Sequence, residues 1–244
     1  VPVLPGQDGF AGRVMHSRSY RNARPFAGQR VLVVGMGNTG AEIALDLAEH
    51  GVRVALSVRS AVNIVHREVL GRPTQLSSIA LAKLPPTLGD ALALLLRRLT
   101  VGDLTRWGLR TPAASPLRQL RHEGKTPVID VGTLQRIRAG DIAVHPGIAL
   151  LTAGGVRFVD GTEHAFDTVI LATGYRPALQ GLFPQLPLPL DERGLPTVLH
   201  GTGPLAGLHF VGFDIRQPGG LLRTIAMQAE RVAARVAQSL GAGQ

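Results

Sequence analysis

The clearest apolar pattern lies between residues 31 and 51. Four consecutive apolar residues, Val31 to Val34, precede a glycine-rich stretch at 35–40. Gly51 stands where the C-terminal cap of a following helix is expected. Within the segment 41–48, apolar residues recur on one helical face: Ile43, Ala44, Leu47 and Ala48. The pattern predicts a buried strand, a glycine turn and an amphipathic helix.

A second strand is predicted at Arg53 to Val58, and the chain from residue 142 onward turns to short strands. Turn pairs such as Pro146-Gly147 separate these strands, as in a small antiparallel meander. The predicted strands are Ile142 to His145, Ile148 to Thr152, Val156 to Val159 and Phe166 to Ala172. Interrupted apolar runs predict a helical insertion at about 72–122, with two short helices within 79–99. The expected fold class is α/β: a Rossmann-like domain with a parallel sheet and the appended meander.

The glycine stretch has the spacing of a nucleotide-binding turn. Gly35, Gly37 and Gly40 follow the G-x-G-x-x-G pattern, with Asn38 and Thr39 between the last two glycines. Such a turn lets the backbone approach a pyrophosphate, whose charge meets the N–H groups and dipole of the new helix. A plain strand-to-helix corner is the alternative in a chain with 30 Gly. The flanking strand and helix favour a bound dinucleotide.

Arg59 and Ser60 follow the second strand, where a Rossmann unit reads the ribose of its cofactor. An acidic residue there suits NAD, because it accepts from the 2′-hydroxyl and repels a 2′-phosphate. A guanidinium grips that phosphate with two charge-assisted hydrogen bonds. Arg59 therefore predicts NADP(H). A solvated arginine at a strand end is the alternative in an arginine-rich chain.

Composition narrows the function classes. A chain of 244 residues suffices for one large or two small domains. It has no cysteine, which excludes disulfides, thiolate metal sites and redox-active cysteine pairs, and we assign no metal site. The net charge of +9 comes from scattered arginines rather than a basic block, and aromatic residues are 4% of the chain. We therefore expect no nucleic acid partner.

No membrane association is expected. The longest apolar stretch, 79–99, is interrupted by charged residues and by Pro85-Pro86, so it cannot form a continuous span. The first six residues lack the charged start and apolar core of a signal peptide. A cytoplasmic protein is the expectation.

Three ordered motifs resemble those of flavin-dependent monooxygenases. Phe10, Gly12, His16 and Tyr20 match the pattern F-x-G-x-x-x-H-x-x-x-aromatic. The fingerprint at Gly35 follows as the family's NADPH turn, and Ala172-Thr173-Gly174-Tyr175 matches its A-T-G-Y motif. The resemblance implies that Ala172, Thr173 and Gly174 also contact cofactor.

The intervening sequence resembles the YUCCA-type branch, which oxidatively decarboxylates indole-3-pyruvate. The similar segments are Arg67 to Thr74 and Gly124 to Thr133. Tyr20 departs from the tryptophan that Baeyer–Villiger enzymes carry at this place, which disfavours that branch. The resemblance implies a small-molecule substrate, O₂, FAD and NADPH, with the flavin chemistry supplied by the cofactor. No catalytic side chain is assigned.

The family carries an earlier glycine fingerprint for FAD, and this chain has none, so its FAD site is incomplete. We expect a truncated product, an incomplete gene model or one piece of a split protein. The resemblance divides the chain into a linker or FAD-domain segment at 1–27, an NADPH domain at 28–176 and the C-terminal part of an FAD-binding α/β domain at 177–244. In this last part we expect a strand at Gly207 to Phe213 and a helix from about Leu221.

The apolar face of that last helix needs a covering surface. We expect part of it to be exposed, which would invite aggregation, a complementary FAD-domain chain or a homo-oligomer. Two other functions stay open: a stand-alone NADP(H)-binding or regulatory module, and a pyridine-nucleotide reductase. The absence of cysteine counts against the reductase, and so does the presence of the monooxygenase motif.

Overall fold

The computed structural model describes residues 1–241, in which strands and helices alternate through most of the chain. In chain order, the strands are β1 Arg13–His16, β2 Arg30–Val34, β3 Arg53–Ser57, β4 Ile64–His66, β5 Glu68–Val69, β6 Arg72–Pro73, β7 Val128–Asp130, β8 Ile142–His145, β9 Ile148–Thr152, β10 Gly155–Phe158, β11 Glu163–Ala165 and β12 Thr168–Leu171. The α-helices are α1 Asn38–Glu49, α2 Thr74–Leu81, α3 Pro86–Thr100, α4 Pro116–Glu123, α5 Thr133–Ala139, α6 Leu179–Leu182 and α7 Leu221–Gly241.

The central sheet has five parallel strands in the order β1-β12-β2-β3-β8. Its register places the last residue of every strand in one row across the sheet: His16, Leu171, Val34, Ser57 and His145. The segments that follow these strands therefore leave the sheet at one edge, the carboxyl edge. Ligands of open α/β sheets bind in the crevice outside that edge.

Two apolar layers cover the two faces of this sheet. Val31 and Val33 pack toward α1 and α5, whereas Leu32 between them packs toward the antiparallel strands. Because both faces are buried, the strands are apolar throughout, as is usual for parallel sheets. At the amino edge, the Arg30 guanidinium pairs with Asp167 at 2.6 Å and its hydrogen bonds lower the pKa of Asp167 to about 2.

The α/β class with a parallel sheet and a meander is confirmed, but two of the four strands grouped with the meander belong to the parallel sheet. The meander consists of β9, β10 and β11, which pair antiparallel, and β11 was not predicted. The segment Phe166 to Ala172 contains β12, which pairs parallel with β1 and β2. Our grouping of Ile142 to His145 with the meander was also wrong, because this strand pairs parallel with β3. Its short apolar pattern suits either kind of pairing, and α5, which precedes it, makes the crossover that a parallel neighbour needs.

The region 72–122 is mainly helical. α2 and α3 cover the stretch where two short helices were predicted, and α4 follows. A two-stranded parallel ladder of β4 and β7 joins this region to the start of α5. No helix within residues 1–241 has the length and apolarity to cross a membrane.

The C-terminal segment contains little regular structure before its last helix. The helix predicted from about Leu221 is α7. The strand predicted at Gly207 to Phe213 was wrong: within the described residues, its only ladder contact is a single bridge between His209 and His200. A strand needs a continuous row of hydrogen-bond partners, and the described part of the chain supplies only two such bonds there: the N–H of Gly201 donates to the carbonyl oxygen of Leu208, and the N–H of Phe210 donates to that of Leu199.

Candidate functional site at the carboxyl edge of the sheet

The three motifs meet at the carboxyl edge. Because β12 lies between β1 and β2, the end of the first motif, the fingerprint turn and the A-T-G-Y segment follow adjacent strands. Residues far apart in the chain thus come into contact: the rings of His16 and Tyr175 meet edge to face, with centroids 5.2 Å apart. The register therefore places the A-T-G-Y segment, more than a hundred residues further along the chain, between the other two motifs.

The three fingerprint glycines occupy different environments. Gly35 has a φ of 102°, and a β-carbon there would lie 2.7 Å from the carbonyl oxygen of Ala172. A β-carbon on Gly40 would lie 2.0 Å from the carbonyl oxygen of Gly35. Nothing lies within 4 Å of a β-carbon placed on Gly37, which is exposed. Gly35 and Gly40 thus permit the turn and its packing, whereas Gly37 borders open space.

The N-terminus of α1 has no side-chain cap. Gly37 is its N-cap residue, and the first turn contains no acidic side chain. The first N–H groups of a helix have no partner within the helix, so those following Gly37 face outward with the positive end of the helix dipole. Thr39 beside them is exposed.

Asn38 uses its side chain for structure. Its Oδ1 accepts from the backbone N–H of Ile129 at 2.7 Å, and its Nδ2 donates to the carbonyl oxygen of Pro127 at 3.5 Å. The amide thereby ties the fingerprint turn to the segment entering β7. With its side chain held in this way, Asn38 offers its backbone N–H at the start of α1.

Arg59 and Ser60 are both exposed just beyond the end of β3. A second arginine lies beside them: Nη2 of Arg110 donates to the carbonyl oxygen of Arg59 at 2.6 Å. Neither guanidinium forms an ion pair within the described chain. The sequence pattern does not single out Arg110, because it stands some fifty residues from Arg59. The fold of the helical region brings the two residues together at this edge.

The A-T-G-Y segment leaves β12 next to the glycine turn. Ala172 is buried against Gly35, whereas Thr173 and Gly174 are exposed. Gly174 has a φ of 93° with nothing within 4 Å of a β-carbon, so the turn is open on that side. Tyr175 follows, its hydroxyl 3.4 Å from Oγ of Ser17.

Tyr20, the residue that departs from the Baeyer–Villiger pattern, has a defined structural role. Its hydroxyl donates to Oδ2 of Asp46 on α1 at 2.5 Å, and its ring stacks on Phe26 with centroids 5.6 Å apart. Burial and this hydrogen bond raise the pKa of Tyr20 far above its usual value. The first motif is thus anchored to α1 through the tyrosine hydroxyl.

Gly219 and Gly220 immediately precede α7. A β-carbon on Gly219 would lie 2.7 Å from Cδ1 of Ile79, so this glycine packs tightly on α2. Gly220 has open space around it. In residues 1–241 no group of three acidic or histidine side chains has the arrangement of a metal site.

A family model described as flavin-binding monooxygenase-like matches residues 1–187. The chain is 40% identical over 243 residues to the indole-3-pyruvate monooxygenase YUCCA4 of rice (Oryza sativa subsp. japonica), covering 98% of this chain and 54% of that relative. It is 41% identical over 238 residues to the indole-3-pyruvate monooxygenase YUCCA6 of Arabidopsis thaliana, covering 96% of this chain and 56% of that relative. The chain spans about half the length of the curated relatives it matches.

Solved structures share the fold. A flavin-containing monooxygenase from Stenotrophomonas maltophilia superposes with a TM-score of 0.63 at 23% identity, covering 98% of this chain and 59% of that one. The cyclohexanone monooxygenase of Rhodococcus sp. Phi1, bound to NADP⁺, gives a TM-score of 0.53 at 19% identity, covering 96% of this chain and 57% of that one.

Proposed function

Because the chain belongs to the flavin-binding monooxygenase-like family, we propose that it is the NADPH-binding part of a flavin-dependent monooxygenase of the YUCCA type. Monooxygenases of this family use FAD and NADPH. The observation that carries the proposal is the open turn at Gly37 beside the uncapped start of α1. The proposed substrates are O₂ and an indolic or aryl 2-oxo acid, since the relatives are indole-3-pyruvate monooxygenases.

In this proposal, the pyrophosphate of NADPH lies over Gly37. The backbone N–H groups of Asn38, Thr39 and Gly40 donate to it, because the start of α1 has no side-chain cap to occupy them. Gly35 and Gly40 contribute indirectly: only glycine allows the turn and α1 to approach each other this closely. The positive end of the helix dipole adds to the attraction for the phosphates.

The 2′-phosphate of NADPH is assigned to Arg59 and Ser60, with Arg110 as an additional donor. Two guanidinium groups beside one exposed strand end form a cationic site that lacks a protein counter-ion in the described residues. A dianionic phosphate complements that charge, whereas a ribose hydroxyl leaves it uncompensated. Ala172, Thr173 and Gly174 complete the cofactor site on the neighbouring strand.

In this proposal the FAD site is incomplete within the described residues. They contain one glycine fingerprint, which we assign to NADPH. The side chain of Ile79 packs against Gly219 and leaves no space for a ligand on that side of the glycine. A bound flavin supplies electron transfer to O₂; the role proposed for this chain is to hold and orient NADPH. We propose the domain division at 1–27, 28–176 and 177–244, with FAD-domain residues from outside this chain, or a second copy, covering α7.

The test is calorimetric titration of the chain with NADP⁺ and NAD⁺. We expect a preference for NADP⁺ that Arg59→Glu abolishes and Arg110→Gln weakens. Arg231→Glu, the same charge change at an exposed position on α7, should leave the preference intact. An unchanged preference in Arg59→Glu would show that the ribose site is misassigned, and absence of binding to either nucleotide would contradict the proposal.

Flavin retention separates the proposal from a stand-alone NADP(H)-binding module. After incubation with FAD and gel filtration, we expect an absorbance spectrum without flavin, together with NADP⁺ binding. Co-expression with a relative's FAD-domain half should then restore flavin retention. Failure to restore it, with intact NADP⁺ binding, would favour the stand-alone module.

A further inference from the structure

A cavity of about 460 Å³ lies between the helical region and the loop that precedes α7. Its volume is within the range of sites for small organic ligands. Apolar side chains from α2, α3, α4 and β4 form much of its wall: Val65, Leu81, Ala93, Leu96, Leu117 and Leu120. A ligand that fills it must therefore present a mainly apolar body.

Arg97 of α3 lies in this wall and is half-buried. All of its recorded hydrogen bonds use one terminal nitrogen, Nη1. That nitrogen donates to Oδ1 of Asn63 and to the carbonyl oxygens of Pro112, at 3.1 Å, and Ala114, at 3.5 Å. Every acceptor is neutral, so the guanidinium is held in place without a counter-charge.

The donors on Nε and Nη2 of Arg97 have no partner among residues 1–241. Every fully buried side-chain nitrogen and oxygen of the described residues has a partner, so these two nitrogens reach accessible surface. Arg97 is half-buried, and this burial lowers its pKa because a charge partly removed from water is less stable. A desolvated charge is costly until an opposite charge pairs with it.

Neighbouring carboxylates do not supply that charge. Asp90, also on α3, pairs with Arg121 at 2.6 Å and accepts from Ser115. Asp214 in the cavity wall accepts from the N–H of Arg216 and from Nε2 of Gln217 in its own loop. Arg97 therefore forms no ion pair in the described chain.

We propose that Arg97 binds the carboxylate of an apolar, aromatic acid whose body fills this cavity. The inference rests on the proposed function, because it assigns the place where the acid substrate is held. Nε and Nη2 form a fork that matches the two oxygens of a carboxylate. Arg72, the other arginine of the wall, is exposed and does not share the desolvation of Arg97.

The cavity adjoins the proposed nucleotide site. Pro127 and Ile129 belong to its wall, and the backbone groups of both residues bind the side chain of Asn38 at the start of α1. One side chain thus connects the wall of the acid site to the turn that receives the pyrophosphate. Two ligands bound at these places would be neighbours.

The experiment compares indole-3-acetate with its neutral analogue indole-3-acetamide by calorimetry on the 244-residue chain. The two probes share the ring and differ in charge. We expect the acid to bind at least tenfold more tightly. Arg97→Gln should abolish this preference, Arg97→Lys should retain part of it, and Arg98→Gln, at an exposed neighbour on α3, should leave it unchanged.

Equal binding of acid and amide by the unsubstituted chain, or binding of neither, would overturn the inference. So would a full preference in Arg97→Gln. Circular dichroism checks the fold of each variant, and Arg97→Lys remains informative if Arg97→Gln unfolds. NADP⁺ affinity, measured in parallel, should be unaffected by Arg97→Gln. Equal binding of acid and amide by the unsubstituted chain, with intact NADP⁺ binding, contradicts this inference alone, whereas absent NADP⁺ binding contradicts the proposed function.

Discussion

The central sheet and the C-terminal segment place their apolar residues in different surroundings. In the sheet, Val31, Leu32 and Val33 of β2 are 0% exposed, and β2 is paired on both sides. On α7, Leu222 is 83% exposed and Leu240 is 71% exposed. Because burial of apolar area is the main gain in folding, the sheet is stabilised by its own contacts. The outer face of α7 gains no such stabilisation from the described residues, and it needs a covering surface.

The largest expected effect is a loss of stability at the glycine turn that joins the central sheet to α1. Gly40→Ala places a β-carbon 2.0 Å from the carbonyl oxygen of Gly35, a backbone atom that cannot rotate away. Alanine favours a helix interior by about 1 kcal/mol over glycine. The clash should outweigh that gain and lower the free energy of unfolding by about 3 kcal/mol. Urea denaturation measures the change.

Gly37→Ala is the matched control for that variant. Gly37 has a φ of −86°, and nothing lies within 4 Å of a β-carbon there. The free energy of unfolding should stay within about 0.5 kcal/mol of the original value, while NADP⁺ affinity falls because the methyl group occupies the approach of the pyrophosphate. Equal destabilisation by both variants would contradict the different roles assigned to the two glycines.

The next effect tests how firmly the first motif is joined to the sheet layer. Tyr20→Phe removes the hydrogen bond to Asp46, and we expect a loss of about 1.5 kcal/mol in the free energy of unfolding, as for other bonds to charged groups. Tyr175→Phe is the control, because that hydroxyl has only a 3.4 Å contact with Ser17 and its residue is 65% exposed. Similar losses in both variants would argue against an anchoring role for Tyr20.

A smaller effect depends on pH and concerns the meander side of the sheet. His145 stacks on Phe158, with ring centroids 4.5 Å apart, and its ring centroid lies 4.4 Å from that of the tilted His164 ring. Burial, with repulsion from His164, lowers the pKa of His145 against the opposing effect of Asp160. The folded state therefore binds fewer protons than the unfolded state just below pH 6.5, so stability is present above that pH and falls on acidification.

His145→Phe should reduce that dependence. Urea denaturation at pH 7.5 and 5.5 should show a smaller decrease in the variant than in the original chain, because phenylalanine keeps the stacking and cannot be protonated. His122→Phe, on α4 outside this cluster, should leave the decrease unchanged. An unaltered decrease in His145→Phe would assign the pH dependence to other groups.

Sequence reasoning succeeded where local pattern and tertiary structure agree. The apolar run at 31–34, the glycine spacing and the helical face at 41–48 all specify one strand–turn–helix unit, and the structure contains it as β2 and α1. Part of the apolar face of α7 was also expected to be exposed, and Leu222 and Leu240 are exposed. The first inference needed only neighbours within a few turns of chain, whereas the second rested on the family resemblance.

Sequence reasoning failed where a residue's role depends on distant partners. The pattern Ile-Ala-Val-His at 142–145 does not reveal whether β8 pairs parallel or antiparallel. Arg110 and Arg97 carry no local signal that separates them from solvated arginines; the first gains its place from Arg59, and the second from the carbonyls of 112 and 114. The run at 207–213 has the pattern of a strand, but within the described chain its pairing is limited to a single bridge between His209 and His200.

The smallest expected change in stability concerns the exposed face of α7. Leu222→Ser should leave the free energy of unfolding within about 0.5 kcal/mol of its original value, because that side chain has little to lose. Ile225→Ser, one turn further along α7, is the control. Ile225 packs on Gly212, whose N–H donates to the side chain of Gln228. The Ile225→Ser substitution should therefore destabilise α7. If the face of α7 also mediates self-association, sedimentation should show less self-association in Leu222→Ser than in the original chain. Equal destabilisation by the two serines would mean that the face of α7 is already covered, and the contrast between sheet and segment would fail.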